Sequence, residues 1–502
     1  MHSRLSGELH NLKGKAIWSG IVKLLSQTAT SILRLCYLAV LARLLSPNDF
    51  GLVAMVLVIT GIFDLFTTAG LSSATIQKAE VSNQQVSNLF WINVLVGTTL
   101  ALLCAASASF MAEFYREPSL FWITVAMASG FVFNALGVQH SALLQRDMRY
   151  VTLSVLDTLS QGGSILLGIA MAFAGYGYWA LVAAAVAGPA IHTTGCWLAT
   201  GWLPDRPRAG AGIRSMLHFG GTITLNSLTV YIGYNAEKVL LGRFWGADTL
   251  GLYTRAVQLI NLPVSMTNAA IGGVFFSALS RLQEDPVRLR AFFLKGYSLV
   301  MAVTMPATIF SALFADDIIA VVLGPNWMQA ATIFRLMTPT IVVFGIINPL
   351  SWLLLSIGLQ RRSLHVGLVL APLVFASYAI GLPYGPVGVA FCYSAAMTLW
   401  LLPHLVWCLH GTMISVMDLA RTIAGPFLSG IVAAAGAYEL QRRFGEDLTP
   451  VLRLALGGAT MAGIYAAVLL FAMGNRTFYL DLLTSLKRPP SLDSVNVVRE
   501  EP

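Results

Sequence analysis

Apolar residues run along this chain in blocks long enough to cross a bilayer, separated by short polar segments, and the pattern holds from end to end. At about 20 apolar residues per helix, the blocks predict fourteen spans: 17–42, 51–74, 87–111, 119–140, 151–173, 177–200, 218–241, 251–277, 292–314, 332–357, 363–381, 386–409, 420–440 and 452–473. The alternating pattern of an outer-membrane barrel is missing, so each block reads as an α-helix. The connections are too short to fold as domains, which places whatever this protein does inside the membrane. Beyond Asn475 an amphipathic piece (478–486) precedes a polar end, which predicts an interfacial segment and then a disordered tail.

Polar residues interrupt the blocks in an ordered way. Lys23, Gln27, Thr30 and Arg34 share one helical stripe in the first span, while Leu24, Leu25, Ile32, Leu33 and Leu35 cover much of the remaining circumference. One face of that helix therefore turns away from lipid. The seventh span has two adjoining strips: Ser227, Tyr231, Tyr234 and Lys238 on one, Asn226, Val230, Gly233 and Glu237 on the other. Glu237 and Lys238 are successive residues, about 100° apart around the helix, so they do not pair with each other.

The pattern also repeats. LARLLSPNDFGLVA (41–54) is echoed two hundred residues later by LGRFWGADTLGLYT (241–254), LLQRDMRYVTLS (143–154) by GLQRRSLHVGLV (358–369), and GYGYWALVAA (175–184) by YGPVGVAFCY (384–393). Helices 1 to 6 thus recur as 7 to 12, and because six is even the repeat is parallel. The expected organisation is an N-lobe (1–215), a C-lobe (216–412), an appendix of two helices (413–475) and a tail (476–502), with a site between the halves.

Composition sharpens this picture. At 56% hydrophobic, 11% charged and a mean hydropathy of +0.73, the chain is far from the roughly 25% charge of a soluble domain. The net charge of +8 does not point to nucleic acid, because the basic residues are dispersed over short loops. Twenty lysines and arginines fall in the termini and the connections on their side, against six on the other. The positive-inside rule then puts both termini in the cytoplasm. Lys13 and Lys15 before the first span resemble a secretory leader, but the apolar run is too long for one, and the segment is expected to be retained. The five cysteines sit in apolar stretches, where a thiol acts as a small hydrophobe. Phosphate-loop, HExxH, CxxC and GxSxG motifs are absent, and no metal site is expected among the scattered histidines, which read as interfacial.

Charges within the spans remain to be explained. Five are basic (Lys23, Arg34, Lys238, Arg255, Arg335) and four acidic (Asp64, Asp157, Glu237, Glu439). Each basic residue facing lipid at mid-bilayer costs about 2.5 to 3.5 kcal/mol, so they must find water, counterions or an anionic ligand. Lys23, Lys238 and Arg255 lie near helix ends, where snorkelling is the bland alternative, and Arg335 is placed to cap helix ten. Arg34 is deepest. Asp64 and Glu237 are candidates for ion coupling, or else structural partners of Arg34 and Arg255.

LARLLSPNDFG, DLFTTAGL (64–71), IQKAEVSNQQVSNLFWINVLVG (76–97), FYREPSL (114–120) and NAEKVLLGRFWGADTLGLYTRA (235–256) together resemble the bacterial polysaccharide transporters of the Wzx type. The likeness is to the colanic-acid and exopolysaccharide export branch of the multidrug/oligosaccharidyl-lipid/polysaccharide superfamily. The resemblance implies an all-α polytopic membrane protein with two pseudo-symmetric, MATE-like six-helix lobes plus two C-terminal helices. It also implies a flippase, not an enzyme, that moves an undecaprenyl-pyrophosphate-linked oligosaccharide across the bacterial inner membrane by alternating access of a cationic cavity. By helix and character, Lys23, Arg34, Lys238 and Arg255 match such a cationic wall. Gln27, Asn226, Tyr231 and Tyr234 would supply polar partners to the substrate. No cofactor is expected beyond H+ or Na+ coupling. The implied partners are the lipid-linked substrate, membrane lipids, a polysaccharide polymerase and chain-length machinery. The alternatives are a multidrug or lipid II exporter of the same superfamily, or a membrane polymerase or ligase.

Overall fold

The computed structural model describes residues 33–67, 75, 82–207, 214–444 and 448–472 and, in the helix beginning at Arg214, side chains only from Tyr231 onward, Ile232 and Tyr234 excepted. Lys23 and Gln27 lie outside the described residues, as do the side chains of Asn226 and Tyr234.

Helix follows helix: α1 (33–44), α2 (Pro47–Thr67), α3 (Asn83–Ala106), α4 (Ala108–Tyr115), α5 (Ser119–Arg146), α6 (Tyr150–Phe173), α7 (Trp179–Thr200) and α8 (Arg214–Thr267). A π turn (Asn268–Gly272) leads into α9 (Gly273–Arg281), followed by α10 (Pro286–Leu313), α11 (Ala315–Val322), α12 (Gln329–Met337) and α13 (Pro339–Ser356). The chain continues with α14 (Gln360–Gly381), α15 (Gly385–Leu409), α16 (Val416–Phe444) and α17 (Pro450–Ala467). Wherever their residues are described, the fourteen expected spans fall on helix, and no strand occurs among the described residues.

The boundary between α1 and α2 is written in local chemistry. Ser46 caps α2: its backbone N–H and hydroxyl donate to Asp49 Oδ2 at 2.9 and 2.7 Å, and the Asp49 N–H donates back to Ser46 Oγ at 3.3 Å. Pro47 occupies the first helical turn, where its missing N–H costs nothing. At the echoed position, 200 residues on, α8 breaks at Gly246, whose φ of 82° and ψ of 180° suit glycine almost alone. The limb after Gly246 is the counterpart of α2.

These two echoed segments meet each other. A methyl group on Gly51 would lie 1.8 Å from the carbonyl oxygen of Ala247, and one on Gly251 would lie 1.9 Å from that of Pro47. Gly51 and Gly251 are equivalent in the repeat, as are Pro47 and Ala247, so the two contacts are related by local two-fold symmetry. Backbone touches backbone at both, which only glycine permits.

Packing groups the helices into two compact units, neither continuous in sequence. The first comprises residues 1–258, 322–333 and 367–396; the second comprises 259–321, 334–366 and 397–502. In the first unit the connection after α7 is strapped to the start of α3. Trp91 Nε1 donates to the Asp205 carbonyl (2.8 Å), Asn83 Nδ2 to Asp205 Oδ2 (2.8 Å) and Trp202 Nε1 to Asn83 Oδ1 (2.6 Å). The second unit has one core of Phe275, Phe293, Tyr297, Leu350 and Leu353 and another around Phe314, Ala437, Met461 and Tyr465.

The stretch 315–331, expected as a plain loop, is more ordered than that. It holds α11 and a 3-10 turn, Pro325–Trp327. Asp316 and Asp317 open α11, where acidic groups complement the helix N-terminus, and bind Arg335 (2.6 Å) and Arg453 (2.7 Å) within the second unit. In the first unit Trp327 is fully buried, donates Nε1–H to the Ala42 carbonyl at 2.7 Å and sets its ring edgewise to Phe50.

Replacing Gly51 or Gly251 by alanine forces two backbones apart, an overpacking cost of about 1 to 3 kcal/mol. Each variant is expected to lower the apparent melting temperature of the detergent-solubilised protein, and the double variant to fall short of the sum because the sites share one crossing. Melting indistinguishable from the parent would show that the crossing is not tight.

Candidate substrate site

Three of the four cations expected to form the wall, Arg34, Lys238 and Arg255, are described, and all lie in the first unit. Arg34, on α1, is exposed and donates from Nε to Gln161 Oε1 on α6 at 3.1 Å. Lys238, on the first limb of α8, donates from Nζ to Asn235 Oδ1 at 2.7 Å. Arg255, on the second limb, lies with its guanidinium 4.5 Å from the centroid of the Phe50 ring and gives a hydrogen bond to Gln258. Its Nε is buried without a hydrogen-bond partner among the described residues. Every one of these partners is neutral. None of the three cations forms an ion pair with a carboxylate among the described residues.

The echoed crossing accounts for Arg255. Phe50 precedes Gly51, and Arg255 follows Gly251 by one helical turn, so backbone contact there brings the guanidinium over the ring. A cation over an aromatic face gains about 0.5 to 2 kcal/mol while keeping its full charge. Such a setting holds a buried guanidinium without neutralising it.

Arg335, by contrast, is committed to Asp316, and Glu439 to Arg443 (2.6 Å) and Arg442 (3.9 Å) at the end of α16. Both serve helix ends. Lys238 turns to Asn235 and not to Glu237, in keeping with their divergent directions on the helix. Glu237 is 5% exposed, and its Oε2 lacks a hydrogen-bond partner among the described residues. Asp64 is exposed near the end of α2, and both carboxylates lie within electrostatic range of Tyr231. The Tyr231 hydroxyl itself donates to α2 backbone carbonyls, those of Leu57 (3.3 Å) and Val58 (3.1 Å), and sits where a Gly61 side chain would otherwise be. It joins α2 to α8, a role hidden from the sequence because Gly61 and Tyr231 are 170 residues apart.

Sequence reasoning missed two polar groups. On α6 and α7, His192 Nε2 lies 3.2 Å from Asp157 Oδ1; the sequence shows only one of four acids within the spans and a histidine near a helix end. In the second unit Asn348 Nδ2 donates to Asn268 Oδ1 at 3.2 Å, where the π turn interrupts one helix and Pro349 another. An asparagine beside proline within an apolar run was the available signal.

Glu237→Gln separates function from packing. A neutral amide is cheaper to bury than a charge, so the variant is expected to melt no lower than the parent while transport falls. Lower melting with transport intact would make Glu237 a structural partner.

Comparison with known proteins places these features. Residues 40–332 match the family model described as polysaccharide biosynthesis protein. The chain is 24% identical over 330 residues to the lipopolysaccharide biosynthesis protein WzxC of Escherichia coli (strain K12), a match spanning 64% of this chain and 66% of WzxC. It is 25% identical over 479 residues to the teichuronic acid biosynthesis protein TuaB of Bacillus subtilis (strain 168), spanning 91% of this chain and 95% of TuaB. Among solved structures, the lipid II flippase MurJ in an inward closed conformation superposes with a TM-score of 0.71 at 13% identity, covering 93% of this chain and 100% of MurJ. The all-helical membrane fold is shared with it.

Proposed function

This chain belongs to the polysaccharide biosynthesis protein family, and we propose from that premise that it is a flippase for a lipid-linked oligosaccharide. It takes an undecaprenyl-pyrophosphate-linked repeat unit from the cytoplasmic to the periplasmic leaflet of the bacterial inner membrane by alternating access between lobes 1–215 and 216–412. The repeat unit then enters exopolysaccharide or lipopolysaccharide assembly, where a polymerase and chain-length machinery consume it. Both termini lie in the cytoplasm.

One observation carries this reading: Arg34, Lys238 and Arg255, all on helices of the first unit, have neutral polar partners and form no ion pair with a carboxylate among the described residues. Cations in a membrane protein that are not tied up in ion pairs are available to an anion. A pyrophosphate drawn to within 4 Å of one of them gains about 4 kcal/mol per charge pair at an effective dielectric near 20. That is enough to hold the head group and weak enough to release it. Neutral donors and acceptors beside each cation suit the first sugars. The names of the relatives, in lipopolysaccharide and teichuronic acid biosynthesis, support a polymer precursor as cargo. A multidrug exporter for organic cations would favour the opposite charge on these helices. The likeness to MurJ bears on fold alone.

Deleting the gene is expected to accumulate a lipid-linked oligosaccharide on the cytoplasmic face. Arg34→Gln and Lys238→Gln, expressed at parental level in that strain, should each fail to restore polymer export. Parental export from both variants would overturn the anion site. Separately, Asp64 and Glu237 as coupling residues require that collapsing the proton or sodium gradient slow flipping in proteoliposomes, and indifference to both gradients would return them to structural roles.

A further inference from the structure

We propose that Asp157 and His192 form a proton-operated counter-charge for Arg34, which makes the anion site strong when His192 is protonated and weak when it is neutral. The inference rests on Arg34 as an anion ligand, as read above.

Asp157 and Gln161 are four residues apart on α6, one above the other on a single face. Gln161 receives the Arg34 hydrogen bond at 3.1 Å, and Asp157 Oδ1 meets His192 Nε2 at 3.2 Å. Three helices, α1, α6 and α7, are thus joined within the first unit by two polar contacts one helical turn apart on α6. The Asp157 side chain is 66% exposed, yet it does not face the lipid side of α6. That side is marked by exposed Val155, Leu159 and Leu166, which lie about 160 to 180° around the helix from Asp157 at 3.6 residues per turn. Its exposure is toward the polar flank where Gln161 and Arg34 lie.

Among the described residues, the groups facing this pair are few. From α7 they are His192 itself and Cys196, whose Sγ is 3.8 Å from either ring nitrogen; from α1, Arg34; from α6, Asp157 and Gln161. The other polar side chains nearby are spent on backbone: Ser160 on the Gly188 carbonyl and Ser164 on that of Gln161, while from α5 the Phe133 carbonyl takes the Thr193 hydroxyl.

Charge counting then gives the switch. With His192 protonated, Arg34, Asp157 and His192 carry one net positive charge, and Asp157 is held by the imidazolium. Once His192 loses its proton the sum is zero, and the Asp157 carboxylate, one turn from the residue that Arg34 already touches, offsets the guanidinium. An anion binds the positive state better, so anion and proton each promote binding of the other, by equal factors.

The test uses the full chain in lipid nanodiscs and undecaprenyl pyrophosphate as probe, with affinity measured between about pH 6 and pH 10.5, a range wide enough for an imidazole held by a carboxylate. The titration of the lipid itself cancels when each value is divided by that of Asp157→Asn at the same pH. Relative to Asp157→Asn, the parent should lose about 5- to 20-fold as pH rises. His192→Gln should bind weakly at every pH, because Asp157 then has only Arg34 to answer. The two variants thus move affinity in opposite directions, whereas a merely structural pair would weaken it in both. A parent-to-Asp157→Asn ratio flat with pH, or both variants shifted the same way, overturns the proposal. If Asp157→Asn does not fold, His192→Gln decides: weak, pH-independent binding supports the switch, and a parental pH slope ends it. Arg34→Gln distinguishes the two readings, since parental affinity there defeats the anion site itself, while reduced affinity together with a failed pair defeats only the switch.

Discussion

Two peptide backbones in contact govern the described part of this molecule. Where α2 and the second limb of α8 begin, Gly51 meets the Ala247 carbonyl and Gly251 meets that of Pro47. No side chain fits between them. Beside this contact lie the two-residue break at Leu45 and Ser46 and the positive-φ backbone at Gly246, where the two helices start. The contact also places Phe50 under Arg255 and beside Trp327. A substitution here is felt in the chemistry nearby as well as in stability.

Within each unit the charged groups are used differently. In the second, cations at helix ends, such as Arg335, Arg443 and Arg453, are paired with carboxylates. In the first, Arg34, Lys238 and Arg255 are set against an aromatic face or an amide. Pairing stabilises ends that meet water and headgroups. A neutral partner preserves positive charge in a low-dielectric setting, where it acts most strongly on an anion. A carboxylate beside Arg34 at all times would make the insertion of that residue cheaper and its function weaker. Placing the carboxylate one turn away, under the control of a histidine, reconciles the two demands.

Interruptions in the helices serve the same end. The π turn Asn268–Gly272 and Pro349 both free backbone groups inside apolar stretches. Such breaks are tolerated in a membrane only where protein or water satisfies the groups they release. Asn268 and Asn348 meet beside these two breaks, so polar side chains are supplied where the ladder is broken.

By itself, the sequence determined what depends on near neighbours: the helical spans, from the lengths of apolar runs, and the charges that lipid would not tolerate, from the cost of burying them. It also carried the echo of 41–54 in 241–254, and with it two equivalent glycines, though nothing in the echo says that one copy rests on the other. Only the tertiary structure decided that. It likewise decided that Tyr231 gives its hydroxyl to α2, that Trp327 is buried in a stretch that reads as loop, and that Asp157 answers to His192. The reason is physical: each of these choices joins residues on different helices, and hydrophobic periodicity says which face of a helix is apolar without saying which other face it meets.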